Sequence, residues 1–130
     1  MAATRKEIND RIEAYAKAVR ERNAEAVSRL FAERFRHMVH GEGTNAGDPW
    51  NTKRETDREG IRRIYEGFFA KVERMTVEYS DRVLDTEQNA AAMVVRVQTE
   101  SARMENALYI RWNEAGEIIT FTNWYGRIAG

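Results

Sequence analysis

Apolar residues recur along this chain in two different rhythms. In the first half the spacing is helical. Ile8, Ile12, Tyr15 and Val19 follow at steps of four, three and four, one stripe of an amphipathic helix. Thr4 and Glu7 ahead of them have capping-box spacing, with Thr4 accepting from the Glu7 amide and Glu7 reaching back. Arg20 to Asn23 breaks the stripe. Asn23 is a good N-cap for a short second helix whose apolar face is Val27, Leu30 and Phe31 and which ends near Arg34. Phe35 to His40 alternates as a short strand, with Phe35, His37 and Val39 on one side. Gly41 to Asp57 holds Trp50 and the only proline, Pro49, and reads as a long loop of the kind used as a lid or binding loop. A third helix starts near Thr56-Asp57-Arg58-Glu59, again with capping-box spacing, and buries Ile61, Ile64, Tyr65 and Phe68.

In the second half the period becomes two. Met75 to Tyr79 alternates, and Asp85 to Asn89 is a turn. Ala91 to Thr99 puts Met93, Val95 and Val97 on one face. A second turn lies at Ser101 to Arg103, and Ala107 to Asn113 then aligns Leu108, Ile110 and Trp112. Asn113-Glu114-Ala115-Gly116 is a hairpin loop with a glycine. Glu117 to Gly126 alternates once more, with Ile119, Phe121, Asn123 and Tyr125 together. Helices early and antiparallel strands late predict an α+β domain with helices on one face of a sheet. Neither repeats nor a linker interrupt it, and at roughly 100–150 residues per domain residues 1–130 are one domain.

Composition narrows the chemistry by exclusion. The chain has 21 basic and 21 acidic side chains, two histidines and no cysteine. Balanced charge argues against nucleic-acid binding, which needs a basic face. Without cysteine there is no disulfide, thiolate zinc site or thiol nucleophile. His37 and His40 are three apart on a strand and so point to opposite faces, and no third ligand accompanies them, so no metal site is expected. No apolar run reaches the roughly 20 residues of a membrane span, and the N-terminal segment lacks an apolar stretch of signal-peptide length. The expectation is a cytoplasmic protein.

The element order, together with Tyr15-Ala16-Lys17-Ala18-Val19, Leu30-Phe31-Ala32-Glu33, Gly60 to Tyr65, Arg111 to Ile118 and Trp124-Tyr125-Gly126, resembles the nuclear transport factor 2-like superfamily. The resemblance covers roughly residues 5 to 128 and is nearest to the ketosteroid-isomerase and SnoaL-like polyketide-cyclase branch. It implies three N-terminal helices packed on a strongly curved, mostly antiparallel sheet that forms a conical pocket, a cystatin-like roll. It also implies a homodimer through the outer sheet face, which carries Tyr109 and Trp124. Ketosteroid isomerases place an oxyanion-donating tyrosine on the first helix and a supporting tyrosine on the third, which the resemblance maps to Tyr15 and Tyr65. The aspartate base and the protonated aspartate of those enzymes map to Val39 and Leu108, so steroid isomerisation in that manner is not expected. The Asp-Arg-Asp group of limonene-epoxide-hydrolase-like members is also absent. Scytalone-dehydratase-like members use tyrosines, histidines and an asparagine, but here both histidines share one strand. Fold alone does not assign function in so varied a superfamily.

The expected concave face combines apolar and aromatic residues with a few polar groups, the composition of a small-molecule pocket. Val95, Leu108, Trp112 and Phe121 are its apolar lining, and Thr99, Asn106, Asn123 and Tyr125 share its parity. His37 is the candidate general base, suited to proton transfer near neutrality; the alternative is a core histidine satisfied by protein groups. His40, beside Gly41, is a rim base or orienting group. Tyr15 is the candidate donor to developing charge, supported by Tyr65; otherwise both are core tyrosines with satisfied hydroxyls. Asn123 orients the substrate, since a buried amide needs a partner, and Trp50 closes over the ligand. The expected function is a cofactor-independent isomerase, cyclase or dehydratase acting on a hydrophobic cyclic or polyketide-like metabolite. The alternative is a non-catalytic ligand-binding or dimerisation domain.

Overall fold

The computed structural model describes residues 3–41 and 52–126. Its elements run α1 (Arg5–Arg20), α2 (Ala24–Arg29), β1 (Phe31–Gly41), β2 (Thr52–Asp57), α3 (Arg58–Ala70), β3 (Met75–Asp85), β4 (Ala90–Thr99), β5 (Arg103–Trp112) and β6 (Ile118–Tyr125). The six strands form one curved sheet in the order β2-β1-β6-β5-β4-β3. Every pairing is antiparallel except β1 with β6, which is parallel.

The helix starts follow local chemistry. At α1 both halves of the capping box form, Glu7 N–H donating to the Thr4 hydroxyl at 3.0 Å and Thr4 N–H to the Glu7 carboxylate at 3.1 Å. Asn23 caps α2 by accepting from the Ala26 amide at 3.0 Å. These bonds satisfy donors that a helix leaves open at its first turn.

The elements between α2 and α3 differ from the sequence expectation. The second helix stops at Arg29, five residues before Arg34, because the chain is already being drawn into the sheet. The Leu30 carbonyl accepts from Ile118 N–H at 2.9 Å and the Phe31 carbonyl from Arg58 Nε at 2.7 Å. The first strand therefore begins at Phe31 rather than Phe35, with an irregular register between Phe31 and Arg36 against β6. The last six residues of the expected long loop are strand β2, which holds Thr56 opposite Phe35. With Thr56 kept in the sheet, Asp57 is the N-cap of α3, accepting from Gly60 N–H at 2.8 Å. The α3 stripe also shifts. Ile61 and Phe69 are buried, whereas Ile64 and Phe68 are 42% and 38% exposed, because that flank of α3 overhangs a cavity instead of packed side chains.

The core lies between α1 and the concave face. Ile8, Ile12 and Ala16 are fully enclosed, as are Ile110 and, nearly so, Ile118 and Phe121. Burying aliphatic and aromatic side chains of this size contributes about 1.5–3 kcal/mol each. Polar clamps fix the helix on the sheet. At its first half Arg11 donates to Asn89 Oδ1 at 2.6 Å and lies over the Trp112 ring, 5.9 Å from its centroid. At its C-terminal end Arg20 forks onto the Val77 carbonyl at 3.0 and 3.1 Å and covers the Tyr79 ring at 5.6 Å. Asn89 has φ 57° and donates to the carbonyls of Trp112 and Asn113 at 3.2 and 2.9 Å. Gly116, at φ 83°, turns the β5–β6 hairpin in a conformation that side chains rarely adopt.

Candidate functional site

Between the helices and the concave face lies a cavity of about 430 Å³, within the roughly 300–1,000 Å³ typical of ligand pockets. The helix wall is Tyr15 and Val19 of α1 with Ile61, Ile64, Tyr65 and Phe68 of α3. The sheet wall comes from five strands, and inward alternation decides who takes part. His37 and Val39 come from β1, Val77 and Tyr79 from β3, Val95 and Val97 from β4. The strands β5 and β6 add Met104, Asn106 and Leu108, then Phe121, Asn123 and Tyr125. Among the described residues the lining carries no acidic, lysine or arginine side chain.

His37 is 6% exposed and sits opposite Phe121 in the β1–β6 register, its ring edge-on to that phenyl at 5.8 Å between centroids. It is the one imidazole of the described lining, and imidazole is the side chain best suited to moving a proton near neutrality.

Across the cavity the hydroxyls of Tyr15 and Tyr65 are hydrogen-bonded to each other. Tyr15 is also edge-on to Tyr79 at 5.8 Å and tilted against Phe121 at 5.7 Å. Burial drives the Tyr15 phenol well above its ordinary value, and the neighbouring phenols Tyr65 and Tyr79 add to the rise. Burial likewise raises Tyr65, although its bond with Tyr15 works the other way. Tyr79 is raised by burial and partly relieved by the Arg20 cation. Loss of solvation penalises each phenolate, so the three rings act as neutral hydrogen-bond groups. The bonded pair holds two hydroxyl protons and uses one internally, leaving one for a ligand.

On the sheet side, burial raises the Tyr125 phenol, and the neighbouring Asn123 amide works the other way. Asn123 Oδ1 is buried with no partner among the described residues. Asn106, 5% exposed, accepts from Gly126 N–H at 3.3 Å. Gly126 is required there: a Cβ at that position would stand 2.8 Å from the Glu105 carbonyl oxygen.

Of the residues singled out from sequence, His37, Tyr15, Tyr65, Asn123, Phe121, Val95 and Leu108 line this one cavity. Trp112 does not. It is buried beneath Arg11 at another part of the core. Thr99 is also elsewhere, its hydroxyl accepting from Ala102 N–H at 3.1 Å in the β4–β5 turn. His40 belongs to β1, but its side chain, like the whole of Trp50, lies outside the described residues. Sequence reasoning left out Tyr79 and Val77, although their period-two spacing from Met75 marks the same face. It also left Ile64 and Phe68 as core, because a helical stripe over a cavity looks identical to one over packed side chains. No group of three or more potential metal-ligating side chains occurs among the described residues, and no described helix is long and apolar enough to cross a membrane.

The sequence profile of the SnoaL-like domain matches residues 12–129. No curated protein sequence matches the chain. Several solved structures share the fold at low identity. A candidate ketosteroid isomerase from Kribbella flavida superposes with a TM-score of 0.69 at 13% identity, covering 96% of this chain and 82% of that one. IdmH from Streptomyces antibioticus, described as a candidate polyketide cyclase, gives 0.73 at 19% identity over 91% of each chain. SalBIII, described as an epoxide hydrolase/cyclase-like enzyme in pyran-ring formation in the polyether salinomycin, gives 0.70 at 15% identity, covering 93% of this chain and 92% of that one.

Proposed function

Because the chain belongs to the SnoaL-like domain family, we propose that its cavity carries out cofactor-independent acid–base chemistry on a neutral, hydrophobic cyclic or polyketide-like metabolite. The observation that carries this reading is the meeting of His37, the Tyr15–Tyr65 pair and Asn123 on one mainly apolar cavity. His37 removes a proton from a carbon next to a carbonyl. The electron pair moves onto the carbonyl oxygen, which takes a hydrogen bond from the proton that the tyrosine pair keeps available. Asn123 orients the ring. The imidazolium then returns its proton, either to a different carbon, giving isomerisation, or to a departing β-hydroxyl, giving water and a double bond. An enolate attacking a second carbonyl of the same chain gives cyclisation, with the proton delivered to the new alkoxide. Aimed donors of this kind lower the barrier by a few kcal/mol, about 2.7–4 for a single oxyanion donor.

The test is proton exchange. The protein is incubated with 2-tetralone in heavy water, and loss of the α-proton signals is followed by nuclear magnetic resonance. Exchange should exceed that of buffer, fall about 100-fold or more in His37→Gln, and be unchanged in a Glu114→Gln control. Unchanged exchange in folded His37→Gln refutes the base assignment. His40→Gln, run alongside, tests the other histidine as base. Binding of 2-tetralone without exchange supports the second reading, a non-catalytic ligand-binding domain. That reading is favoured by the absence of any carboxylate from the described lining.

The same proposal includes Trp50 as a residue that closes over the ligand, a homodimer through the outer sheet face near the 44%-exposed Trp124, and a cytoplasmic location.

A further inference from the structure

Asn106 and Asn123 stand on neighbouring strands and look into the same cavity. Leu108 of β5 is opposite Asn123 of β6, so Asn106, two residues earlier on the same face, is its diagonal neighbour. Such neighbours have α-carbons about 7–8 Å apart, a gap that one small polar group can bridge with two hydrogen bonds. The two amides are held in opposite senses. The Asn106 oxygen is turned to Gly126 N–H, which directs its Nδ2 hydrogens the other way. Asn123 Oδ1, buried and without a partner among the described residues, is left as an acceptor. A buried acceptor left unmet costs about 1–3 kcal/mol, so a ligand that supplies its hydrogen is favoured. No charged side chain in the described lining would compensate an ionised ligand.

Resting on the reading of the cavity as a small-molecule site, we infer that Asn106 and Asn123 form a donor–acceptor pair that selects a neutral ligand bearing a carbonyl beside an N–H or O–H. A carboxamide, a lactam or an enolised 1,3-diketone has this pattern. The carbonyl accepts from Asn106 Nδ2 and the N–H or O–H donates to Asn123 Oδ1. Carboxylates lack the second hydrogen and carry a charge the cavity does not answer. Asn106 is thus a specificity-determining residue, separate from the groups that move protons.

Three naphthalenes of similar size test this by calorimetric titration: naphthalene-2-carboxamide, naphthalene-2-carboxylate and 2-methylnaphthalene. The carboxamide should bind about ten-fold or more tighter than the carboxylate. Relative to 2-methylnaphthalene, its affinity should drop about five- to ten-fold in Asn123→Leu and in Asn106→Asp. The aspartate still accepts from Gly126 N–H, so that variant removes the donor while keeping the strand contact; should Asn123→Leu fail to fold, Asn106→Asp and the wild-type ratios decide. Equal binding of carboxamide and carboxylate, or a carboxamide preference unchanged in the folded variants, overturns the pair. If 2-methylnaphthalene binds and the carboxamide does not, the pair is overturned and the cavity reading stands. If none of the three binds, both are overturned.

Discussion

Tyr15 and Tyr65 join α1 to α3 by a hydroxyl–hydroxyl hydrogen bond at the roof of the cavity. No other side chain of α3 hydrogen-bonds α1 among the described residues. The contact therefore has two effects that mutation separates. Tyr15→Phe and Tyr65→Phe each delete one hydroxyl and should lower stability by about 0.5–1.5 kcal/mol. Together they should cost less than the sum, since the second change removes a partner already lost. In the exchange assay each single variant should also slow turnover, more than its stability change explains. Urea unfolding and α-proton exchange on the same samples check both parts. Additive stability losses would mean that the hydroxyls do not depend on each other.

The buried phenols set the alkaline limit. Tyr15, Tyr65, Tyr79 and Tyr125 are all held above the ordinary value of 10.0, chiefly by burial. Above that pH the unfolded chain releases these protons while the folded one retains them. The unfolded state then binds fewer protons, so stability falls as pH rises. Their contribution is intact below pH 10 and is lost progressively above it. Tyrosinate absorbance and circular dichroism followed together should show these four rings ionising with unfolding. A smooth titration of all the tyrosines in a fully folded protein would contradict the packing.

Asn89 carries a positive φ and three side-chain hydrogen bonds, one to Arg11 and two to the end of β5. Two substitutions divide these contributions. Asn89→Gly keeps the backbone conformation and loses the bonds. Asn89→Ala loses the bonds and adds the cost of a left-handed alanine, about 1 kcal/mol or more. Alanine should therefore be the less stable of the two, with a loss of about 2–4 kcal/mol. Thermal melts of the pair give the order directly.

Gly126→Ala tests the closing contact of β5 and β6. Its Cβ would meet backbone, not the tip of a flexible chain, so the strand end must move. The Glu105 N–H to Gly126 carbonyl bond of 2.9 Å and the Asn106 contact go with it. The expected result is a loss of about 1–3 kcal/mol, together with weaker binding of naphthalene-2-carboxamide. An alanine variant as stable as the parent would show that the strand end has room.

The sequence carried most of the framework wherever the signal was local. Thr4, Glu7 and Asn23 announce helix starts through bonds that span three residues. From β3 to β6 the alternation of Met93, Val95 and Val97, or of Phe121, Asn123 and Tyr125, records which face is inward. The misread stretches among the described residues were 30–34 and 52–57, where non-local contacts decide. Leu30 leaves its helix because Ile118, far along the chain, takes its carbonyl. Strand β2 is polar throughout, Thr52-Lys53-Arg54-Glu55-Thr56-Asp57, and has no apolar rhythm to betray it; only pairing with β1 makes it a strand. The cavity itself is legible only in part. Parity grouped His37, Asn123 and Leu108, but Trp112 shares that parity and ends in solid core. Parity reports a side chain's face and not its height along the cone.

The parallel pairing of β1 with β6 has a consequence for how the molecule is made. The last strand sits in the interior of the sheet, between β1 and β5. Until residues 118–125 arrive, strands β2-β1 and β5-β4-β3 are two unconnected ribbons, each with an open edge. No part of the cavity wall between His37 and Leu108 exists before that insertion. Contacts so distant in sequence make for slow folding. Assembly on the ribosome must await the final strand, and until then the two exposed edges are the places where a second nascent chain can add on.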